Sequence, residues 1–143
     1  MNKKYHKVML NTASIFADLS YAKRLKVGAT LAKNDRIVAC GYNGTLSKNS
    51  NICEINNTTL DSVIHAEQNI ISFCAKNGIS TKNTTLYITH APCINCAKLI
   101  VSSGIKSVYY INKYRSKDGI KLLKQNKIKC KQIKHIKLWG DKK

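Results

Sequence analysis

The apolar residues of this chain switch repeatedly between a helical period and a strand period, and that alternation limits the folds open to it more than any other feature. From His6 to Ser20, the residues Met9, Ala13, Phe16, Ala17 and Ser20 recur at intervals of three and four, the spacing of one helix face. Val27 to Lys33 and Ile37 to Gly41 are rich in small and β-branched residues and flank Asn34-Asp35-Arg36, which reads as the turn of a β-hairpin. A second helix is expected from Ser62 or Val63 to Asn77, with Gly78 as its stop and with His65 and Glu67 in its first turn. Thr85 to Thr89 is a short strand pattern, followed by a helical run that ends at Gly104. Pro92, the only proline, suits the first turn of that helix. Ser107 to Ile111 predicts a strand, Asp118 to Gln125 a helix and Ile128 to Ile133 a last strand. An alternating order of this kind predicts an α/β layered domain with a mixed sheet.

With 143 residues the chain is sized for one domain, 1–143, with a core over roughly 5–133 and a basic tail over 134–143 that holds the only tryptophan, Trp139. The stretch from Gly44 to Asp61 is dense in Asn, Ser and Thr, lacks periodicity, and reads as a long loop bearing Cys53. Loops of that length inside a compact domain are usually functional. Apolar runs such as Leu99-Ile100-Val101 are far shorter than the roughly 20 residues of a membrane span. The basic start, Met1 to Lys7, leads into no signal-peptide core, so a cytoplasmic location is expected.

Charge is the most unusual bulk property. Twenty-five basic side chains against seven acidic ones give a net charge of +18. Such a charge attracts polyanions and phosphorylated small molecules. It also fits the Lys- and Asn-rich usage of an AT-rich genome, and the lysines are spread along the chain, so both readings stay open at this point.

Without a secretory signal, the six cysteines are read as thiols and their spacing becomes informative. Cys93-Ile94-Asn95-Cys96 lets two thiolates reach one metal ion from a single helical turn. His65, from a separate helix, would be a third ligand and would leave the fourth tetrahedral position to water, as in a catalytic zinc site. Glu67, two residues beyond His65, could reach that water and not the metal, as a proton shuttle must. Taken alone, the Cys-x-x-Cys pair would more often be a redox pair or half of a structural zinc ribbon, and His65 and Glu67 ordinary residues. No second Cys-x-x-Cys is present, however, and the combination is far more specific than its parts.

In this order, Gly41-Tyr42-Asn43-Gly44, Ile64-His65-Ala66-Glu67-Gln68-Asn69, Pro92-Cys93-Ile94-Asn95-Cys96-Ala97-Lys98, Ser103-Gly104-Ile105-Lys106 and Lys113-Tyr114 resemble the deoxycytidylate (dCMP) deaminases of the zinc-dependent cytidine/deoxycytidylate deaminase superfamily, over roughly Ser14 to Ile133. The resemblance implies a three-layer α/β/α fold around a mixed five-stranded sheet. It implies a hydrolase that converts dCMP to dUMP with one zinc ion per chain, held by His65, Cys93 and Cys96. Glu67 would take a proton from the activated water and pass protons to ring nitrogen 3 and to the departing ammonia, while attack falls on carbon 4.

By the same resemblance Asn43 would bond the sugar, its other reading being a turn asparagine before Gly44. Ala66 would join the substrate contacts, Arg24 and Lys26 would meet the phosphate, and Tyr114 and Arg115 would border the pocket. Allosteric control by dCTP and dTTP, with Mg2+ accompanying the regulatory nucleotide, and a homo-oligomer, a hexamer, are also implied. One departure bears on that control: the family's proline after the Gly-Tyr-Asn-Gly segment is replaced by Thr45-Leu46-Ser47. Cys53 could belong to a second, structural zinc site, but no partner set accompanies it and a plain buried thiol is the simpler reading.

Two other functions compete. A deaminase of polymeric nucleic acid, such as the tRNA adenosine deaminases, shares the His-x-Glu and Pro-Cys-x-x-Cys groups and would use the +18 charge. A non-enzymatic zinc module that binds nucleic acid through its lysines needs no open coordination site and gives Glu67 no task.

Overall fold

A computed structural model describes residues 3–141. Met1, Asn2, Lys142 and Lys143, which the sequence reading counts in the domain and its basic ends, lie outside the described residues. The elements are α1 (Lys3–Ala17), β1 (Gly28–Lys33), β2 (Arg36–Tyr42), β3 (Glu54–Ile55), β4 (Thr58–Thr59), α2 (Ala66–Lys76), β5 (Thr85–His90), α3 (Ile94–Ser102), β6 (Ser107–Asn112), α4 (Asp118–Gln125) and β7 (Lys129–Gln132). Five strands form one mixed sheet in the order β2-β1-β5-β6-β7, with β1 antiparallel to β2 and β5, and with β5, β6 and β7 parallel. Parallel neighbours need a crossover, and α3 and α4 provide the two here.

The alternation of side chains along the strands separates two apolar layers. Leu86 and Ile88 of β5 pack with Ala29, Leu31 and Val108 against Ile70, Cys74, Ala97, Ile100 and Leu123 of α2, α3 and α4. Tyr87 and Tyr109 point the other way, with Ala32, onto Met9 and Leu10 of α1. The architecture is therefore three-layered, as expected. Leu10, absent from the periodic set read in the sequence, is fully buried, whereas Phe16 is only partly so. Ile133 and Ile136 extend the α1-side layer, so the tail lies along the fold, and the Trp139 N–H donates to Asn11.

Three expectations are corrected. The hairpin turn is only Asn34-Asp35, with Arg36 already in β2, because Asn34 takes the left-handed φ of +57° that closes a two-residue loop. Helix α2 starts at Ala66, not Ser62 or Val63, because Ile64 is held extended by reciprocal hydrogen bonds with Gly44, of 3.1 and 2.8 Å. Pro92 precedes α3 and its N-cap Cys93, and does not lie in the first helical turn. The 44–61 stretch also holds a small hairpin, β3–β4, turned by Asn56 and Asn57, both left-handed. Its strands are too short to show alternation. Among the described residues no helix is long and apolar enough to cross a membrane.

Candidate metal centre and substrate cavity

His65 and Cys93 are the N-caps of α2 and α3, and the two helix starts converge where β5 ends. His65 Nδ1 stands 3.5 Å from Cys93 Sγ and 3.3 Å from Cys96 Sγ, and the three atoms all lie within 4.8 Å of one another. Tetrahedral zinc with bonds of about 2.1 Å to nitrogen and 2.3 Å to sulfur separates such ligands by about 3.6 Å. The donor set therefore fits zinc in both chemistry and spacing, and three donors leave a fourth position. Among the described residues it is the only such group.

Local hydrogen bonds explain why the chain turns here. The His65 N–H donates to Gln68 Oε1 at 2.7 Å, half of a capping box, and the Asn69 amide donates to the Tyr42 carbonyl at 2.9 Å, tying α2 to the end of β2. Both residues fall in the Ile64–Asn69 run, where the sequence alone assigned them no task.

A hydrogen bond from Cys96, aided by His65, holds the Cys93 thiol down at about 3, while the same pairing and burial push Cys96 up. Hydrogen bonding to Cys93 raises His65 against the opposing effect of burial. Metal binding must displace these protons, so its affinity depends on pH. Glu67, only 3% exposed, lies beside them: burial pushes its carboxyl up, and its own backbone N–H and the Cys96 thiol offset part of that.

These groups open into a cavity of about 610 Å³, a size suited to one small molecule. His65, Ala66, Glu67 and Cys93 line its inner part together with Ala91 and His90. Burial lowers the His90 pKa, and its Nδ1 lies 3.0 Å from Thr89 Oγ1.

Asn43 also lines the cavity, but it is not a turn residue. Its Oδ1 accepts from the Val27 N–H and its Nδ2 donates to the Leu25 carbonyl, each at 2.8 Å, so it pins the 25–27 segment. Arg24 reaches the rim, where Nη1 donates to Thr59 Oγ1 at 3.3 Å. Tyr114 and Arg115 also line the cavity, with the guanidinium 5.6 Å from the ring centroid. Lys26 is exposed and is not among the lining residues.

Several wall residues were missed from sequence. Glu54 Oε1 accepts from the backbone N–H groups of Lys23 and Arg24, at 2.9 and 3.2 Å, and so anchors the Arg24 segment to the small hairpin. Thr58 and Thr59 share that wall, and Lys113 lies beside Tyr114. Lys113 had a signal, its place next to Tyr114; Glu54 had none. Cys53 is buried and its thiol donates to the Asn51 carbonyl, with no metal-ligating partners among the described residues.

Residues 2–112 match the family described as the cytidine and deoxycytidylate deaminase zinc-binding region. The crystal structure of dCMP deaminase from the cyanophage S-TIM5, in complex with dCMP and dUMP, superposes with a TM-score of 0.90 at 40% identity, covering 93% of this chain and 99% of that one. ComE operon protein 2 of Bacillus subtilis is 35% identical over 116 residues, 78% of this chain and 61% of its own length, so the chain spans less than two thirds of that relative. The deoxycytidylate deaminase of Enterobacteria phage T4 is 29% identical over 154 residues, 78% of this chain and 80% of its own. With the zinc-ligand group in place and most of its length matched, this chain belongs to the cytidine and deoxycytidylate deaminase zinc-binding family.

Proposed function

We infer that the protein hydrolyses dCMP to dUMP and ammonia and so supplies dUMP for dTMP synthesis. The observation that carries this reading is a buried carboxyl, Glu67, beside a three-donor N/S/S group at the inner end of a cavity whose rim is basic. The likeness to a deaminase whose complex contains dCMP and dUMP supports the choice of substrate.

Zinc bound by His65, Cys93 and Cys96 supplies a Lewis acid that lets a water lose a proton near neutral pH. Glu67 is the side chain placed to take that proton and give it to ring nitrogen 3, and then to carry a second proton, from the oxygen added at carbon 4, to the amino group, which departs as ammonia when its bond to carbon 4 breaks. Burial holds its proton affinity above that of an ordinary carboxylate, which suits a group that both accepts and gives back a proton. Ala66 is the first residue of α2, so its amide has no acceptor within the helix and serves the carbonyl at ring carbon 2. Asn43 keeps a second amide hydrogen for the sugar beyond the one it spends on Leu25. Arg24, Lys113 and Arg115 meet the phosphate, with Tyr114 along the same edge.

Loss of cytosine absorbance with zinc-loaded protein on dCMP tests the reading, alongside CMP, dCTP, deoxycytidine and the Glu67→Ala variant. Turnover of dCMP that vanishes in the variant is expected; silence on all four substrates would sink it. The net charge of +18 favours one rival, a polynucleotide deaminase, whose binding would weaken steeply with salt where a single nucleotide phosphate gives a shallow slope. A homo-oligomer belongs to the same reading, supported by Val8 and Ile15, about half exposed along α1, and sedimentation measures it. Assays with dCTP and dTTP test the regulation.

A further inference from the structure

The first turn of α4 lies closer to the Cys93 segment than any residue but glycine permits. A Cβ added to Gly119 would run into the Pro92 carbonyl oxygen and stand 2.9 Å from that of Cys93. Both obstacles are backbone atoms, and the Cys93 carbonyl is held in place by accepting from the Ala97 N–H at 2.9 Å, within the first turn of α3. Gly119 is buried and helical, in a position where glycine is among the poorest helix formers. Its φ is not positive, so conformational freedom does not account for it; closeness of approach does. Helix α4 follows directly from the 113–115 segment that borders the cavity, so its seat relates that rim to the metal ligand.

We propose that Gly119 is a positioning residue: by letting α4 rest against the Pro92 and Cys93 carbonyls, it holds the Cys93 thiol in register with His65 and Cys96 for zinc. This rests on the reading of those three side chains as the metal ligands, and not on the identity of the substrate.

The test is Gly119→Ala, loaded with Co2+ and followed by its thiolate charge-transfer and d–d bands, with zinc affinity measured by competition against a chromophoric chelator. The bands should shift and zinc affinity should fall about 10- to 100-fold, the usual effect of disturbing a ligand's support. Leu123→Ala is the control, since it removes a fully buried side chain from the same helix and adds nothing near Cys93. It should lower the melting temperature and leave the cobalt bands unchanged. Wild-type bands and affinity in Gly119→Ala would overturn the proposal, and so would an equal shift in Leu123→Ala.

Should Gly119→Ala fail to fold, hydrogen exchange on the unmutated protein decides the matter. The Lys121 amide, which donates to the Lys117 carbonyl at 3.0 Å, should exchange more slowly with zinc than without, because coupling between two sites is reciprocal. Equal rates would overturn the proposal. None of these measurements uses dCMP, so inactive wild-type protein with normal cobalt bands would count against the substrate alone.

Discussion

The inner part of the cavity hangs from the N-termini of α2 and α3, whereas its rim is carried by the short β3–β4 hairpin and by segments between elements. His65 and Cys93 cap helices that are packed on the sheet, Cys96 and Glu67 are buried, and each is fixed by hydrogen bonds of the helix start. Arg24, Thr59, Lys113 and Arg115 are exposed, and the Arg24 segment is held by a short hairpin through one carboxylate, Glu54, bonded to two backbone amides. Groups that must meet a metal within a few tenths of an ångström stand on rigid elements, and groups that meet a flexible phosphate do not need to. Disturbing the inner group should therefore abolish the reaction, and disturbing the rim should weaken only the hold on substrate.

The largest effect is expected from Cys96→Ala, which removes a buried ligand at the centre of the group: the purified variant should carry no zinc by metal analysis and show no dCMP turnover. Glu67→Gln comes next. It keeps the shape and the metal but cannot accept a proton, so kcat should fall on the order of 10³-fold with zinc content unchanged. A variant with near-normal kcat would break the contrast, because the inner carboxyl would then have no chemical role.

At the rim the loss should appear in KM. Arg24→Ala removes the charge that the proposed function assigns to the phosphate, and the exposed position makes the effect modest, about tenfold in KM with kcat within twofold. Glu54→Gln should raise KM by roughly threefold, since it weakens charge-assisted bonds that only position Arg24. If Glu54→Gln instead lowered kcat as far as Glu67→Gln does, the small hairpin would belong with the catalytic group and not with the rim.

The same contrast explains what could be read from the sequence. The ligand group was legible because metal chemistry demands particular residue types at short spacings, and Cys93-x-x-Cys96 with His65-x-Glu67 leaves little room for accident. The layered α/β arrangement was legible because helical and strand periods alternate along the chain, whereas the two faces of β5, Leu86 and Ile88 against Tyr87, are separated only in the folded structure. Glu54 was not, because its task is to hold the backbone of Lys23 and Arg24, and a carboxylate accepting main-chain hydrogen bonds from 30 residues away leaves no local pattern. Lys26 and Arg24 looked equivalent, two cations before a strand, and only the turn of the chain separates the one on the cavity wall from the one in solvent. The sequence placed the start of α2 at Ser62 or Val63, but the Gly44 to Ile64 pairing, which joins segments distant in sequence, overrode it.

The smallest effect concerns stability, and it sharpens the contrast from the inner side. In the unfolded chain Glu67 loses its proton near pH 4, as an ordinary glutamate does, whereas burial holds the folded value higher. Between those two values the folded chain keeps a proton that the unfolded chain has released, so stability falls as pH rises through that window and remains reduced above it. Glutamine in the same place has no such dependence. In metal-free protein, Glu67→Gln should therefore melt a few degrees higher than wild type at pH 7, and the gain should shrink toward zero below about pH 4. A Gln variant that melts lower at both pH values would mean that the hydrogen bonds from the helix start and from Cys96 outweigh burial, and that Glu67 sits in the folded chain as a contented carboxylate, not as one held in place for its chemistry.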